Sequence, residues 1–377
     1  MDLSALAVLP GALQIVVDDV GWFFGNDDRY KGGPSRSAMP RRHRPEDYQA
    51  LERLGRALNM KITCGLIIGE WDSRNILKHV PGATRYGESW DNARFFKAAE
   101  AKECMEVISQ SRHIEFALHG LMHWYWDKNG GCLGPEFYID SKTPPKEHIK
   151  RHLDAFFELY EQWGFKGSVK SFLPPCFSYE YNGALSEILS EYGILFTVTP
   201  FDKMVCTGDT PAMCGVENGI ITVDRTSDIC RWYRYDTQPD FEYFKDSIFG
   251  FHWVNLLKLI PKNNFMAVDK WIEYFRAAAK RFGTILSKDI AFAASQALYK
   301  RYAKLNFDKN ELVIDLKPVH TLKAKGLSDS FYLSVKNEAA ITAAGGCAYK
   351  PFDYQSSFMT YQIKPFDSCV RLKFCDI

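Results

Sequence analysis

Near its N-terminus the chain reads Leu13-Gln-Ile-Val-Val-Asp-Asp19, a mostly apolar, β-branched run that ends in two carboxylates. A second apolar run, 114–118, is followed by His119-Gly-Leu-Met-His123. Both runs predict buried strands with polar side chains at their C-terminal ends. In barrel-like α/β folds this edge of the sheet carries the chemistry. Two imidazoles and one carboxylate can bind zinc and leave positions open for water, so the sequence predicts a metal centre here.

Strand and helix patterns alternate through the first two-thirds of the chain, which predicts a parallel sheet built from βα units. The further predicted strands are 60–68, 167–173, 194–199, 220–224 and 247–252. The predicted helices between them are 46–58, 92–111, 145–163 and 182–192. We therefore expect an α/β fold, a distorted (β/α) barrel of seven strands over residues 1–265. The long aperiodic segments 20–44 and 70–91 are interpreted as functional loops over one face.

The pattern changes in the last third of the chain. Two helical stretches, about 267–282 and 287–305, predict a helical extension over residues 266–306. Apolar residues then alternate at period two, which predicts a small antiparallel β domain over residues 307–377. All nine tryptophans precede this domain. We interpret it as a structural appendage, a cover for the barrel or a contact in a homo-oligomer rather than an independent sugar-binding module.

Composition narrows the class of protein. The 377 residues carry a net charge of +1, which favours neither nucleic acid nor an anionic membrane surface as a partner. No stretch has the length and apolarity of a membrane span, and the N-terminus lacks the basic region of a signal peptide. Ten cysteines are scattered without C-x-x-C spacing, which is typical of reduced thiols. A cytoplasmic location is the resulting expectation.

Several motifs occur in an order that resembles the polysaccharide deacetylases, carbohydrate esterase family four, over roughly residues 12–260. Besides Asp18-Asp19 and H-x-x-x-H, they are Pro174-Pro175 after a predicted strand and the apolar strand 248–251 ending in His252. The resemblance implies a catalytic base, a general acid and three ligands for one divalent metal. The implied assignments are Asp18 as base, His252 as general acid, and Asp19, His119 and His123 as ligands.

The chain also departs from that family's pattern. Leu173 stands where the family has the arginine that orients the base, and Cys176 stands where it has a tyrosine. The fourth motif is the weakest match, because the segment from Asp228 to Trp232 offers only an aspartate and a tryptophan four residues apart. A base beside a cation needs an orienting partner. We predict that another residue supplies it, with Arg231 as the first candidate and Arg225 as the second.

Local geometry sets two further expectations. Adjacent strand residues point to opposite faces, so Asp18 and Asp19 can share a site only if the chain turns there, and Val20-Gly21 is predicted to supply the turn. His119 and His123 are expected on one side of a helical turn. His148 and His152 repeat the same spacing inside a predicted helix, where a solvated face is the interpretation.

Residues beside these motifs are candidates for substrate contact. Tryptophans near loop ends can stack on sugar rings, although core packing is their default role. The acidic pair that follows the strand 60–68 and the first proline of the third motif complete the set. The substrate-binding candidates are Trp22, Glu70, Asp72, Trp124, Pro174 and Trp253.

The predicted function is metal-dependent hydrolysis of an N-acetyl or related acyl group on a carbohydrate. Zinc is the expected metal, and cobalt, nickel and iron remain open because metal availability often decides the choice. One alternative is a hydrolase of another, non-sugar C–N bond. The other is a non-catalytic carbohydrate-binding protein, which the leucine at position 173 motivates.

Overall fold

A computed structural model describes residues 6–23, 39–94, 96–206, 208–226, 229–239, 242, 248–308, 311–337, 339–354 and 357–376. Most of the predicted loop 20–44, and Asp228 of the fourth motif, lie outside these residues. The helices are α1 (Pro45–Leu58), α2 (Ala98–Gln110), α3 (Lys146–Gln162), α4 (Ala184–Glu191), α5 (Asn264–Phe282), α6 (Ile290–Tyr302) and α7 (Lys317–His320). The strands are β1 (Ala7–Val8), β2 (Ala12–Val20), β3 (Ile62–Leu66), β4 (Ile114–Leu118), β5 (Trp124–Trp126), β6 (Cys132–Pro135), β7 (Ser171–Phe172), β8 (Glu180–Tyr181), β9 (Phe196–Thr199), β10 (Val205–Cys206), β11 (Cys214–Glu217), β12 (Ile220–Asp224), β13 (Ile248–His252), β14 (Ile285–Leu286), β15 (Lys304–Asp308), β16 (Glu311–Asp315), β17 (Phe331–Lys336), β18 (Ala339–Gly345), β19 (Cys347–Tyr354), β20 (Phe358–Pro365) and β21 (Cys369–Asp376).

The central sheet contains the seven predicted parallel strands in the order β12-β9-β7-β4-β3-β2-β13. Strand β11 adds an antiparallel edge beside β12, and β14 pairs with the start of β2. All nine residues of β2 are buried, as expected where helices cover both faces of a parallel sheet. The parallel register places the last residues of neighbouring strands together, and His252 lies opposite Asp18.

The barrel prediction is not confirmed, because no ladder between β12 and β13 is present within the described residues. Thr226, just beyond β12, links the two edges instead. Its amide donates to the Ile248 carbonyl at 3.0 Å, and its hydroxyl accepts from the Gly250 amide at 2.9 Å. Local periodicity predicts the strands, but closure depends on how the two edges meet. The fold is a mixed α/β arrangement around a mostly parallel central sheet.

The predicted helical extension packs directly against this sheet. In α6, Ile290, Ala294 and Leu298 share a buried cluster with Val16 and Ala117 of the sheet. Leu13, Ile15 and Val17 of β2 instead belong to the larger cluster that includes α1, α2, α3 and α5. Because side chains alternate along a strand, α6 covers one face of the sheet and the other helices cover the opposite face.

The C-terminal strands form two four-stranded sheets, β1-β17-β20-β19 and β15-β16-β21-β18, around their own apolar cluster. The predicted period-two segments correspond to β16, β17, β20 and β21. Strand β1 joins this unit from the N-terminus. Tyr332 of β17 stacks on Phe292 of α6 with ring centroids 4.3 Å apart, which joins the β unit to the helix over the central sheet. Among the described residues, no helix is long and apolar enough to cross a membrane.

Candidate metal centre

Asp19, His119 and His123 come together at the C-terminal edge of the sheet. Their ligand atoms all lie within 4.8 Å of one another, and all three residues are buried. The Nε2 atoms of His119 and His123 lie 3.5 Å and 3.6 Å from Asp19 Oδ1. Two atoms that bind one ion at roughly 2.0–2.2 Å in tetrahedral geometry are separated by roughly this distance. The donor set therefore fits a zinc-like ion with at least one position left open.

The backbone brings these ligands together through left-handed residues. Asp19 has φ 60°, and the β2–β3 ladder is irregular between Val17 and Val20. The turn therefore begins at Asp19 itself, one residue before the predicted Val20-Gly21 turn. His123 has φ 66° in a non-helical loop, so the predicted helical turn is wrong. Positive φ at residues other than glycine is costly and is concentrated at functional sites.

A backbone carbonyl orients His119. Its Nδ1 lies 2.6 Å from the Leu173 carbonyl oxygen, so Nδ1–H donates there and Nε2 is left to bind a metal. Burial lowers the pKa of His119, but the hydrogen bond to Asp19 and the charges of Asp18 and Asp19 outweigh it and raise that pKa. Leu173 thus contributes through its backbone.

Arg225 is the orienting partner of Asp18. Its Nη1 and Nη2 donate to the two carboxylate oxygens at 2.9 Å and 2.8 Å, and both side chains are buried. Such a bidentate pair fixes the plane of the carboxylate. Burial would raise the pKa of Asp18, but the Arg225 charge and hydrogen bonds lower it to about 2. Asp18 is therefore ionised throughout the neutral range.

Arg225 is only the second candidate from the sequence, although the chain contains a signal for it. A Cβ atom added at Gly250 would overlap the Arg225 guanidinium, so a glycine in the middle of β13 makes room for the side chain. The Phe177 ring lies 5.2 Å from the Arg225 guanidinium carbon and covers it. Arg231, the first candidate, instead donates from Nη1 to the Tyr233 hydroxyl at 2.9 Å. The expected role of Arg231 is thus corrected.

His252 ends β13 on the far side of Asp19. Its Nε2 lies 4.0 Å from Asp19 Oδ2, and its side chain is 19% exposed. Its backbone amide donates to Asn255 Oδ1 at 2.9 Å, which fixes the strand end. Burial lowers the pKa of His252, and the charges of Asp19 and Asp18 only partly oppose this shift. A lowered pKa makes the protonated ring a stronger acid, which suits delivery of a proton to a leaving group.

A cavity of about 430 Å³ opens onto this cluster. Asp18, Asp19, His119, His123 and His252 all line it. The other lining residues are mostly aromatic and include one cation. These further lining residues are Trp124, Cys176, Phe177, Cys230, Arg231, Trp232 and Tyr233. The size suits a small molecule or one to two sugar rings of a longer chain.

Of the predicted substrate contacts, only Trp124 lies in this lining. Trp22 is fully buried, and Trp253 packs in the core with its Nε1 donating to the Asp47 carbonyl at 3.3 Å. Pro174 is buried as well. These three positions correct the expectation of substrate contact, because a side chain inside the core has no face left for a ligand.

The two acidic candidates organise loops instead. Glu70 is buried, and its Oε2 accepts from the Phe23 amide at 2.5 Å. Asp72 is buried and accepts from the amides of Ile76 and Leu77 and from Trp90 Nε1, at 3.0–3.1 Å. The expectation that they touch substrate is corrected, because Glu70 binds the Phe23 backbone and Asp72 holds the segment 70–91 together from inside.

Comparisons with known proteins give a match in fold but none in sequence. No protein-family profile matches the chain, and no curated protein matches it by sequence. Among solved structures the chain is similar to Agd3, described as a novel carbohydrate deacetylase, with a TM-score of 0.53 and 10% identity. The match covers 98% of this chain and 66% of the other, so this chain spans slightly less than two thirds of that protein. At this identity the likeness shows a deacetylase-like fold.

Proposed function

We propose that this chain is a metal-dependent hydrolase that removes an N-acetyl or related acyl group from a carbohydrate. The observation that carries the proposal is the convergence of Asp19, His119 and His123 beside a second carboxylate, Asp18, which Arg225 holds. The fold shared with a carbohydrate deacetylase supports the substrate class. The aromatic cavity wall supports it too, because aromatic rings stack on sugar faces.

The three buried donors would hold one divalent ion. Such an ion would polarise the acyl carbonyl and lower the pKa of a water molecule towards neutrality. Zinc suits two imidazoles and a carboxylate, and cobalt, nickel and iron accept the same ligands.

The chain's own residues supply the remaining chemistry. Asp18, ionised and fixed by Arg225, accepts the proton of the attacking water. His252, on the other side of Asp19, delivers a proton to the leaving nitrogen as the C–N bond breaks. Trp124, Phe177 and Trp232 line the space where the sugar would lie, and their rings can stack on its faces.

The non-catalytic alternative loses its main support. It rested on the leucine at position 173, which removes the family's orienting arginine. Arg225 provides a bidentate partner for Asp18 from the end of a different strand. A buried, oriented carboxylate beside an open set of metal ligands serves catalysis, whereas sugar binding alone has no use for it.

The test is product analysis with purified protein, first stripped with a chelator and then reloaded with Zn²⁺ or Co²⁺. Oligomers of N-acetylated hexosamines are the substrates, and released acetate and new free amines are both measured. We expect equal amounts of acetate and amine, dependent on added metal and strongly reduced in Asp18→Asn.

The other outcomes of this experiment would support a different function or contradict metal dependence. Hydrolysis of non-sugar amides, with none of the sugars cleaved, would assign the chain to the second class of C–N hydrolase. Saturable binding of the oligomers without acetate release at any metal loading would support the non-catalytic protein. Acetate release that persists after the metal has been removed would contradict metal dependence.

A further inference from the structure

A buried carboxylate, Glu136, holds the loop that carries both histidine ligands. Its Oε1 accepts from the Leu121 amide at 3.0 Å, and its Oε2 accepts from the amides of Met122 and His123 at 3.1 Å and 2.9 Å. The backbone amides of three consecutive residues, the last of them the ligand His123, thus converge on one side chain. Glu136 follows β6, whose pairing with β5 returns the chain to this loop. The side chain of Glu136 has no solvent exposure.

The other partner of this carboxylate is His152, from the helix α3. Its Nδ1 lies 2.8 Å from Glu136 Oε1, and its Nε2 lies 2.6 Å from the Pro81 carbonyl oxygen. Both ring nitrogens thus face oxygen atoms, which ties the ring to the carboxylate on one side and to the Pro81 carbonyl on the other. Tyr125 stacks almost parallel on the ring, with centroids 5.6 Å apart. The predicted solvated face is therefore wrong for His152, which is buried.

The loop itself needs such a restraint. Gly120 has φ 108°, and a Cβ atom there would overlap the Glu136 carboxylate, so only glycine permits this close approach. His123 is held in the left-handed region at φ 66°. A strained conformation persists only where surrounding contacts over-determine it. The three hydrogen bonds from backbone amides to the Glu136 carboxylate are such contacts.

We infer that Glu136, backed by His152, is a positioning pair that fixes the 119–123 loop so that both imidazoles face one metal ion. The inference rests on the proposed metal centre, since it gives these two residues a role only in shaping that centre. Neither side chain is proposed to touch the metal or substrate. Residues that orient the ligands of a metal typically change metal affinity by roughly 10–100-fold when they are removed.

The test measures metal binding directly, by titrating the chelator-stripped protein with Co²⁺ and following its visible absorption. Glu136→Gln keeps the shape of the side chain but removes the charge and places an amide donor among backbone donors. We expect Co²⁺ affinity to fall by roughly 10–100-fold, with altered absorption bands because the ligand geometry changes. His152→Gln is a milder second variant and decides the question if Glu136→Gln does not fold. It is expected to weaken binding in the same direction but by less.

A matched control is available at another buried carboxylate. Glu217 ends β11 and accepts from the Asn182 amide and Thr222 hydroxyl, each at 2.8 Å, and from the Tyr179 hydroxyl. Glu217→Gln is expected to lower thermal stability while leaving Co²⁺ affinity and the absorption bands unchanged.

Two results would overturn the inference. One is a folded Glu136→Gln or His152→Gln protein that binds Co²⁺ with wild-type affinity and absorption. The other is an equal loss of affinity in Glu217→Gln, which would show a general effect of stability. If wild-type protein binds no Co²⁺, the metal centre itself fails, and that result is distinct from both.

Discussion

The two ends of strands β2, β3 and β4 both bury polar side chains, but they arrange them in opposite ways. At the N-terminal ends, Gln14 Nε2 donates to Thr63 Oγ1 at 3.1 Å, and Thr63 Oγ1 donates to Glu115 Oε1 at 2.7 Å. The Ile290 amide, at the start of α6, donates to the same Glu115 oxygen at 2.9 Å. At the C-terminal ends, the polar atoms instead converge on a cavity.

The comparison separates a structural network from a site. The N-terminal chain of hydrogen bonds runs within the protein, from strand to strand to helix. The C-terminal cluster includes left-handed Asp19 and His123 and a buried ion pair between Asp18 and Arg225. Burial of a polar residue on a strand is therefore a weak sign of function by itself. The direction of the side chain and the partner that balances it decide the role.

The pKa values of one carboxylate from each end, Asp18 and Glu115, are shifted in opposite directions. Arg225 overcomes the effect of burial and lowers the pKa of Asp18 to about 2. Burial raises the pKa of Glu115 to about 7, because hydrogen bonds from Ile290 and Thr63 only partly offset the lost hydration. If chemistry resides at one end of the strands and stability at the other, substitutions at the two ends should have different effects.

The largest effect is expected from removing a histidine ligand at the C-terminal end. His119→Ala or His123→Ala leaves two protein donors, too few for stable zinc binding in a site of this kind. We expect metal content after dialysis and hydrolytic activity both to fall to background. Metal analysis with acetate release measures this, and His320→Ala, on the exposed side of α7, is the control. Full metal retention in either ligand variant would contradict the assignment.

The next effect separates the adjacent aspartates. Asp18→Asn removes the proton acceptor but not a ligand, so turnover should fall by roughly 10²–10⁴-fold with the metal retained. Asp19→Asn should instead weaken metal binding. Steady-state kinetics and metal analysis on both variants test this division. Equal loss of metal in both, with activity falling in step, would refute it.

A smaller effect is expected at Gly250, which makes room for Arg225. Gly250→Ala should displace the guanidinium and leave Asp18 poorly oriented, which lowers turnover by roughly 10–100-fold, as loss of a residue that orients a functional group does. The measurement is turnover together with metal content, which should stay at the wild-type level. Gly345→Ala is the matched control, since its added Cβ would meet only Arg371 Cβ at an ordinary 3.8 Å. Unchanged turnover in Gly250→Ala would show that Asp18 does not depend on Arg225.

Part of the C-terminal site can be predicted from the sequence alone. Asp18, Asp19, His119 and His252 each follow or end an apolar run, so their common edge can be inferred from strand patterns and parallel pairing. The strands themselves are predictable for the same reason. Asp228 lies outside the described residues, so the weakest motif stays a prediction.

Other features depend on contacts that no local pattern encodes. Arg225 reaches Asp18 across 207 positions of sequence, and Leu173 acts through its carbonyl, which any residue type could provide. Trp22 and Trp253 lie near motif positions along the chain but point into the core. The way in which the β12 and β13 edges meet at Thr226 likewise depends on tertiary packing rather than on the periodicity of either strand.

The smallest effect on activity is expected at the N-terminal end, from Glu115→Gln, which should leave turnover unchanged. Because the pKa of Glu115 is about 7 in the folded protein, against 4.5 for an unperturbed glutamate, the folded state holds the proton more tightly. The resulting stabilisation is full below the unfolded pKa and is lost as pH rises through the folded pKa. It amounts to at most about 3 kcal/mol. The wild-type free energy of unfolding should thus receive a contribution that falls between about pH 4.5 and about pH 7, and Glu115→Gln should remove it. Urea unfolding at several pH values measures this, with the exposed Glu161→Gln as control.

Two results would contradict this division of roles between the two ends of the strands. One is parallel pH profiles of stability for wild type and Glu115→Gln, and the other is a loss of turnover in the variant.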